Sequence, residues 1–152
     1  MRLLTFDPGG TTGIARYDSA ENQRYFVSFE LPTFAALDAI YELLSSESPP
    51  DLVVGERFII GQGTVKKTRA GSYAALHSFG AVEYLCHRFN VDFDSQTPSE
   101  RKFADNAKLK LLGWRNPTPG GHCDDAARHM LVACVKRGLV DPAIFLEEQN
   151  EA

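Results

Sequence analysis

Acidic residues stand at the edges of three apolar runs in this chain. Asp7 ends the run "LLTF" and is followed at once by Pro-Gly-Gly, Glu56 closes "DLVVGE", and His122, Asp124 and Asp125 open "HCDDAARHML". A carboxylate in the first position has three possible uses: to hold a metal for nucleic-acid cleavage, to sit beside a glycine loop that cradles a phosphate, or simply to begin a turn. Asp and Glu oxygens with one imidazole are hard to borderline donors that suit Mg²⁺ or Mn²⁺. Two such ions about 3.5–4 Å apart clamp the attacking water and the leaving oxygen of a phosphodiester. His122 and Asp125 are three residues apart and share one helix face, whereas Asp124 points about 100° away around the helix. The preferred ligand set is therefore Asp7, Glu56, His122 and Asp125, with Asp124 as the substitute. Gly9, Gly10 and Gly13 are expected to leave room beside Asp7 for a phosphate and an ion.

The hydrophobic pattern supplies the elements that must carry these groups. Leu3 to Phe6 reads as a buried strand, Thr12 to Tyr17 as its hairpin partner and Arg24 to Leu31 as a third strand. Ala36, Leu37, Ile40, Tyr41 and Leu44 recur at helical spacing, with Thr33 as the expected N-cap. Asp51 to Glu56 is short and β-branched enough to be a central strand. A glycine-rich basic loop follows, then a long helix in which Ala75, Phe79, Val82, Cys86 and Phe89 fall every three or four residues. "NVDFDSQ" gives a fifth strand, "TPSERKFADNAKLKLLGW" a helix begun by Thr97 and Pro98, and "HCDDAARHMLVACVKRG" a last helix ending at Gly138. This layout is α/β: a five-stranded mixed sheet flanked by helices, with Asp7 and Glu56 at the carboxyl ends of strands, where open sheets form ligand sites. Residues 1–140 read as a single domain and 141–152 as an acidic C-terminal tail.

Asp7-Pro-Gly with Thr12-Gly13, then "VVGERF", then "HCDDAARHML" resembles the RuvC-like Holliday junction resolvases of the ribonuclease H-like superfamily, especially the compact phage forms. The resemblance runs in order from Leu3 to about Gly138. It implies the ribonuclease H-like fold and two Mg²⁺ or Mn²⁺ ions per site, with Asp7 bridging both and Glu56, His122 and Asp125 completing them. It implies cleavage of four-way and related branched DNA, leaving a 5′-phosphate and a 3′-hydroxyl, in recombination and repair. It also implies a homodimer, with the long helix at the interface, because a two-fold junction needs two opposed cuts. DNA contacts would come from Phe58, Lys66, Lys67 and Arg69 in the loop and from Arg101, Lys102, Lys108 and Lys110 further on.

Bulk composition neither advertises nor forbids such a partner. Sixteen Lys and Arg against twenty Asp and Glu give a net charge of −4, but Arg57 to Arg69 holds four basic residues and no acidic one, and local patches suffice for phosphate contacts. Three cysteines without CxxC spacing argue against a disulfide framework and a structural zinc, and fit a reducing, cytoplasmic setting in a bacterium or bacterial host. No apolar run approaches the roughly 18 residues needed to span a membrane. Three other readings compete. The first is an actin-like or sugar-kinase ATP-binding lobe, whose first phosphate loop "FDPGGTTGIARY" also resembles, although no second glycine-rich loop is present. The second is a DNA-structure-binding protein that has lost catalysis. The third is a nuclease of the same fold acting on RNA–DNA hybrids or ribosomal RNA precursors. His77, His87 and His129 read as surface or core residues, not as ligands.

Overall fold

The computed structural model describes residues 1–20, 25–57, 69–116 and 121–147, with 69–72 and 147 described in backbone only. Five strands, β1 (Arg2–Asp7), β2 (Thr11–Asp18), β3 (Tyr25–Pro32), β4 (Leu52–Glu56) and β5 (Asp92–Gln96), form one sheet in the order β3-β2-β1-β4-β5. The β1–β2 and β2–β3 pairs are antiparallel, and β1–β4 and β4–β5 are parallel. Helices α1 (Thr33–Ser45) and α2 (Arg69–Phe89) cover one face; α3 (Asn106–Leu111), α4 (His122–Lys136) and the short α5 (Ile144–Glu147) cover the other. Among the described residues, no helix is long and apolar enough to cross a membrane.

Strand alternation decides which face each site residue meets, because successive side chains point to opposite sides of the sheet. Leu4 and Phe6 of β1 and Val53 of β4 pack with α1 and α2, in a cluster with Ile14, Ile40 and Val82. Leu3 and Val54 point the other way and pack with α4 through Ala126, Ala127, Met130 and Leu131. Thr5, two residues from Leu3, donates its hydroxyl to the Ala126 carbonyl at 2.7 Å. Asp7 and Glu56 continue the same parity, so both face α4.

Several local expectations are corrected. Thr33 is not an N-cap: Pro32 holds that position, and the Thr33 hydroxyl is instead shared between the carbonyls of Gly9 and Gly10, at 2.7 and 3.0 Å. The helix expected from Thr97 splits into a 3-10 segment, Glu100–Phe103, and α3. The break occurs because Ala104 leaves helical geometry (φ −90°, ψ 73°) and Asp105 starts a fresh helix, its carboxylate accepting the Lys108 N–H at 2.9 Å. Packed structure also continues past residue 140, since Phe145 is buried and meets Phe103 edge-on at 6.2 Å. The expected start of the third strand at Arg24 and the tail from 148 onward lie outside the described residues. Trp114 packs on the sheet, stacked on Phe26 with ring centroids 4.4 Å apart.

The 3-10 segment is fastened to α4 by Lys136, whose ammonium lies 2.5 Å from Glu100. That hydrogen bond, helped by the Thr97 N–H, holds the Glu100 carboxyl down to about 2, against an ordinary value of 4.5. A depressed carboxylate stabilises the fold above its unfolded value and loses that contribution as pH falls through the folded one. The pair is half exposed, so its worth is about 0.5 kcal/mol. Lys136→Met is expected to flatten the decline in stability between pH 4.5 and about 2 and to leave stability at pH 7 lower by about that 0.5 kcal/mol, measured by urea unfolding across pH.

Candidate active site

Asp7 is the last residue of β1 and Glu56 the last of β4; His122 is the first residue of α4, with Asp125 one turn on. Asp7 is buried, and its Oδ2 lies 2.5 Å from His122 Nδ1. The close seating of α4 on β2 makes that contact possible. A Cβ on Gly13 would stand 1.9 Å from the His122 carbonyl oxygen and 2.7 Å from the Cys123 nitrogen, and one on Gly9 would stand 3.0 Å from the His122 ring. The space at Gly9 and Gly13 is thus filled by the start of α4, not by a phosphate as expected from the sequence; a Cβ on Gly10 would meet nothing within 4 Å. Glu30 of β3 anchors the same helix end, accepting the Cys123 N–H at 2.9 Å.

Glu56 and Asp125 are joined by a cation. One guanidinium nitrogen of Arg101, Nη1, donates to Glu56 Oε2 at 2.9 Å and to Asp125 Oδ2 at 2.6 Å. The other Asp125 oxygen pairs with Arg128, which also donates to Asn106 Oδ1 at 2.7 Å. The four proposed ligands therefore fall into two pairs, Asp7 with His122 and Glu56 with Asp125, instead of closing around a common centre. Among the described residues, no group of three or more His, Cys, Asp or Glu side chains is arranged to hold a metal ion. The chemistry of the donor set nonetheless suits a hard cation. Burial first, then the charges of Glu56 and Asp125, push the Asp7 carboxyl above its ordinary 3.8, against the opposing pull of His122. Carboxylates that raise one another in this way are the hard oxygen donors that a divalent ion takes.

Asp124 is turned elsewhere: it is buried, and its Oδ1 accepts the Asn116 N–H at 3.3 Å, bracing the turn that carries Trp114. Of the residues expected to meet DNA, Arg101 is engaged with Glu56 and Asp125. Lys108 is paired with Asp105 at 2.6 Å and lies over the Phe103 and Phe145 rings. Lys102 and Lys110 are exposed. Phe58, Lys66 and Lys67, and the side chain of Arg69, lie outside the described residues.

His129 is the site residue that sequence reasoning missed. It is fully buried, its Nδ1 lies 2.7 Å from Gln96 Oε1, and its Nε2 lies 2.5 Å from Glu56 Oε2. The Gln96 amide nitrogen donates to the His129 carbonyl at 3.3 Å, which leaves Oε1 to accept from Nδ1–H. This chain ties β4, β5 and α4 together and fixes the Glu56 carboxylate. The signal was spacing: His122, Asp125 and His129, at i, i+3 and i+7, share one helix face. His129→Leu, which strands both Glu56 and Gln96, is expected to destabilise the protein by about 2 kcal/mol. His77→Ala on the exposed face of α2 should stay within about 0.5 kcal/mol, both read by urea denaturation.

The mixed sheet with helices on both faces defines a ribonuclease H-like fold. Within that class, the fold is similar to that of RuvC. Thermus thermophilus RuvC in complex with Holliday junction substrate superposes with a TM-score of 0.67 at 17% identity, covering 90% of this chain and 95% of that one. A second Thermus thermophilus RuvC structure gives a TM-score of 0.62 at 17% identity, covering 90% and 96%. No protein-family model matches the sequence, and no curated protein matches it in sequence.

Proposed function

We propose that this protein is a metal-dependent, structure-selective endonuclease that resolves four-way and related branched DNA junctions. The observation that carries this reading is the placement of Asp7, Glu56 and Asp125 together on the α4 side of a RuvC-like sheet, each carboxylate within electrostatic range of the next. Asp7, Glu56, His122 and Asp125 would hold two Mg²⁺ or Mn²⁺ ions. When bound, these would lower the pKa of an attacking water and neutralise the charge building on the scissile phosphate. His122 orients Asp7, and His129 with Gln96 orients Glu56, so the chain's own part is to present the carboxylates in fixed directions. Exposed Lys102 and Lys110, with the basic stretch from Lys66 to Arg69, would take the flanking phosphates. The RuvC complex named above contains a Holliday junction, and two opposed cuts in such a substrate call for a homodimer, which we place across α2.

A second reading has a specific observation in its favour. With Arg101 and Arg128 together balancing Glu56 and Asp125, the fold needs no metal to offset those charges, as suits a protein that binds DNA structure without cutting it. Labelled four-way junction, linear duplex, Y-fork and RNA–DNA hybrid, each incubated with Mg²⁺, Mn²⁺ or EDTA, separate the readings. Metal-requiring cleavage confined to branched DNA is expected. Preferential cutting of the hybrid would move the substrate to RNA–DNA, and junction binding without cleavage of any substrate would favour the binding protein.

A further inference from the structure

Arg101 bridges the two carboxylates Glu56 and Asp125. Its side chain reaches inward from the 3-10 segment and places a single nitrogen, Nη1, between carboxylates from β4 and α4, 2.9 Å from Glu56 and 2.6 Å from Asp125. The Glu56 oxygen it binds, Oε2, is also the one that meets His129. Both Asp125 oxygens are already engaged, Oδ1 by Arg128 and Oδ2 by Arg101. A divalent ion cannot bind Glu56 and Asp125 together through these atoms while Nη1 remains between them.

We propose that Arg101 is an internal, displaceable counter-ion. It bridges and orients Glu56 and Asp125 in the metal-free protein, competes with the divalent ion for them, and leaves when the ion arrives. The inference rests on the metal-dependent reading above and adds a residue that sets the metal affinity. Three features suit Arg101 to the exchange. Its guanidinium is always charged, so it holds the carboxylates at any working pH. Its side chain remains 29% exposed, which gives it a way out to solvent by rotation of its own torsions. The backbone beneath it is fixed separately, by the Glu100–Lys136 contact and by Thr97 N–H donating to Glu100 at 2.6 Å, so the 3-10 segment need not unfold when the side chain departs. Arg128 is a poorer candidate for release, since Asn106 holds its second nitrogen.

Mn²⁺ binding, followed by calorimetry and by the loss of the free-ion electron paramagnetic resonance signal, tests the exchange without depending on catalysis. Arg101→Gln and Arg101→Ala are expected to bind Mn²⁺ about ten-fold more tightly than the parent, because a competing cation has been removed. Arg101→Lys, which keeps the charge, should stay nearer the parent. The same concentration of Mn²⁺ should raise the melting temperature of Arg101→Gln more than that of the parent. Equal or weaker binding by both Gln and Ala variants, with Asp7→Asn still abolishing it, would overturn the inference and leave the metal site standing. Absence of Mn²⁺ binding by parent and variants alike, up to millimolar ion, would sink the metal reading and the exchange with it.

Discussion

Asp7→Asn is expected to abolish cleavage of a four-way junction, by roughly a thousandfold or more, while junction binding survives and the metal-free protein melts higher than its parent. The two halves of this result come from one cause. Asp7 is buried on the α4 face of the sheet, and burial together with Glu56 and Asp125 raises its carboxyl above the ordinary 3.8. A carboxyl raised in the folded chain favours the fold below its unfolded value, and that advantage is lost as pH rises through the folded one. Without metal, a buried carboxyl facing the charges of Glu56 and Asp125 is therefore a burden that Asn removes. A divalent ion reverses the balance for Asp and not for Asn. Melting curves with EDTA and with Mg²⁺, beside single-turnover cleavage, read both halves. A variant that cuts as fast as the parent would remove Asp7 from the chemistry, and one that melts lower in EDTA would contradict the electrostatic account.

Gly13→Ala is expected to give the largest loss of stability, about 3 kcal/mol, or about 10 °C in melting temperature for a chain of this length. All three atoms that the new methyl would meet belong to the backbone of His122 and Cys123, the nearest at 1.9 Å. No rotamer change relieves such a contact, so α4 must move off β2. The movement would draw His122 away from Asp7 and weaken the cap that Glu30 provides at Cys123. Gly10→Ala, where a Cβ meets nothing within 4 Å, is the matched comparison and should stay within about 0.5 kcal/mol. Similar melting temperatures for the two variants would mean that α4 is not seated on β2 as described.

The frame of the site was legible because it follows from alternation. Leu3, Thr5 and Asp7 share a face, as do Val54 and Glu56, and that parity places both carboxylates against the helix that begins at His122. Contacts set by three-dimensional approach were not. Gly13 reads in sequence as open space near a ligand, yet a helix from 109 residues further along fills it. Arg101 reads as a phosphate contact because nothing in "SERKFAD" reveals that the chain turns there from a 3-10 segment into α3, aiming its guanidinium at Glu56 and Asp125. His129 reads as one more core histidine, and only the meeting of β4, β5 and α4 shows that it holds Glu56. Local spacing carried the carboxylates; the cations and histidine that restrain them depend on tertiary packing.

The most direct test of the central claim uses a supercoiled plasmid carrying an extruded cruciform, incubated with the purified protein in Mg²⁺ or Mn²⁺ and in EDTA. Linear product formed only with metal, with the two nicks mapping symmetrically across the cruciform base, is the predicted result. A plasmid that stays supercoiled in both metals, with protein shown to be folded and bound to the cruciform, would contradict it.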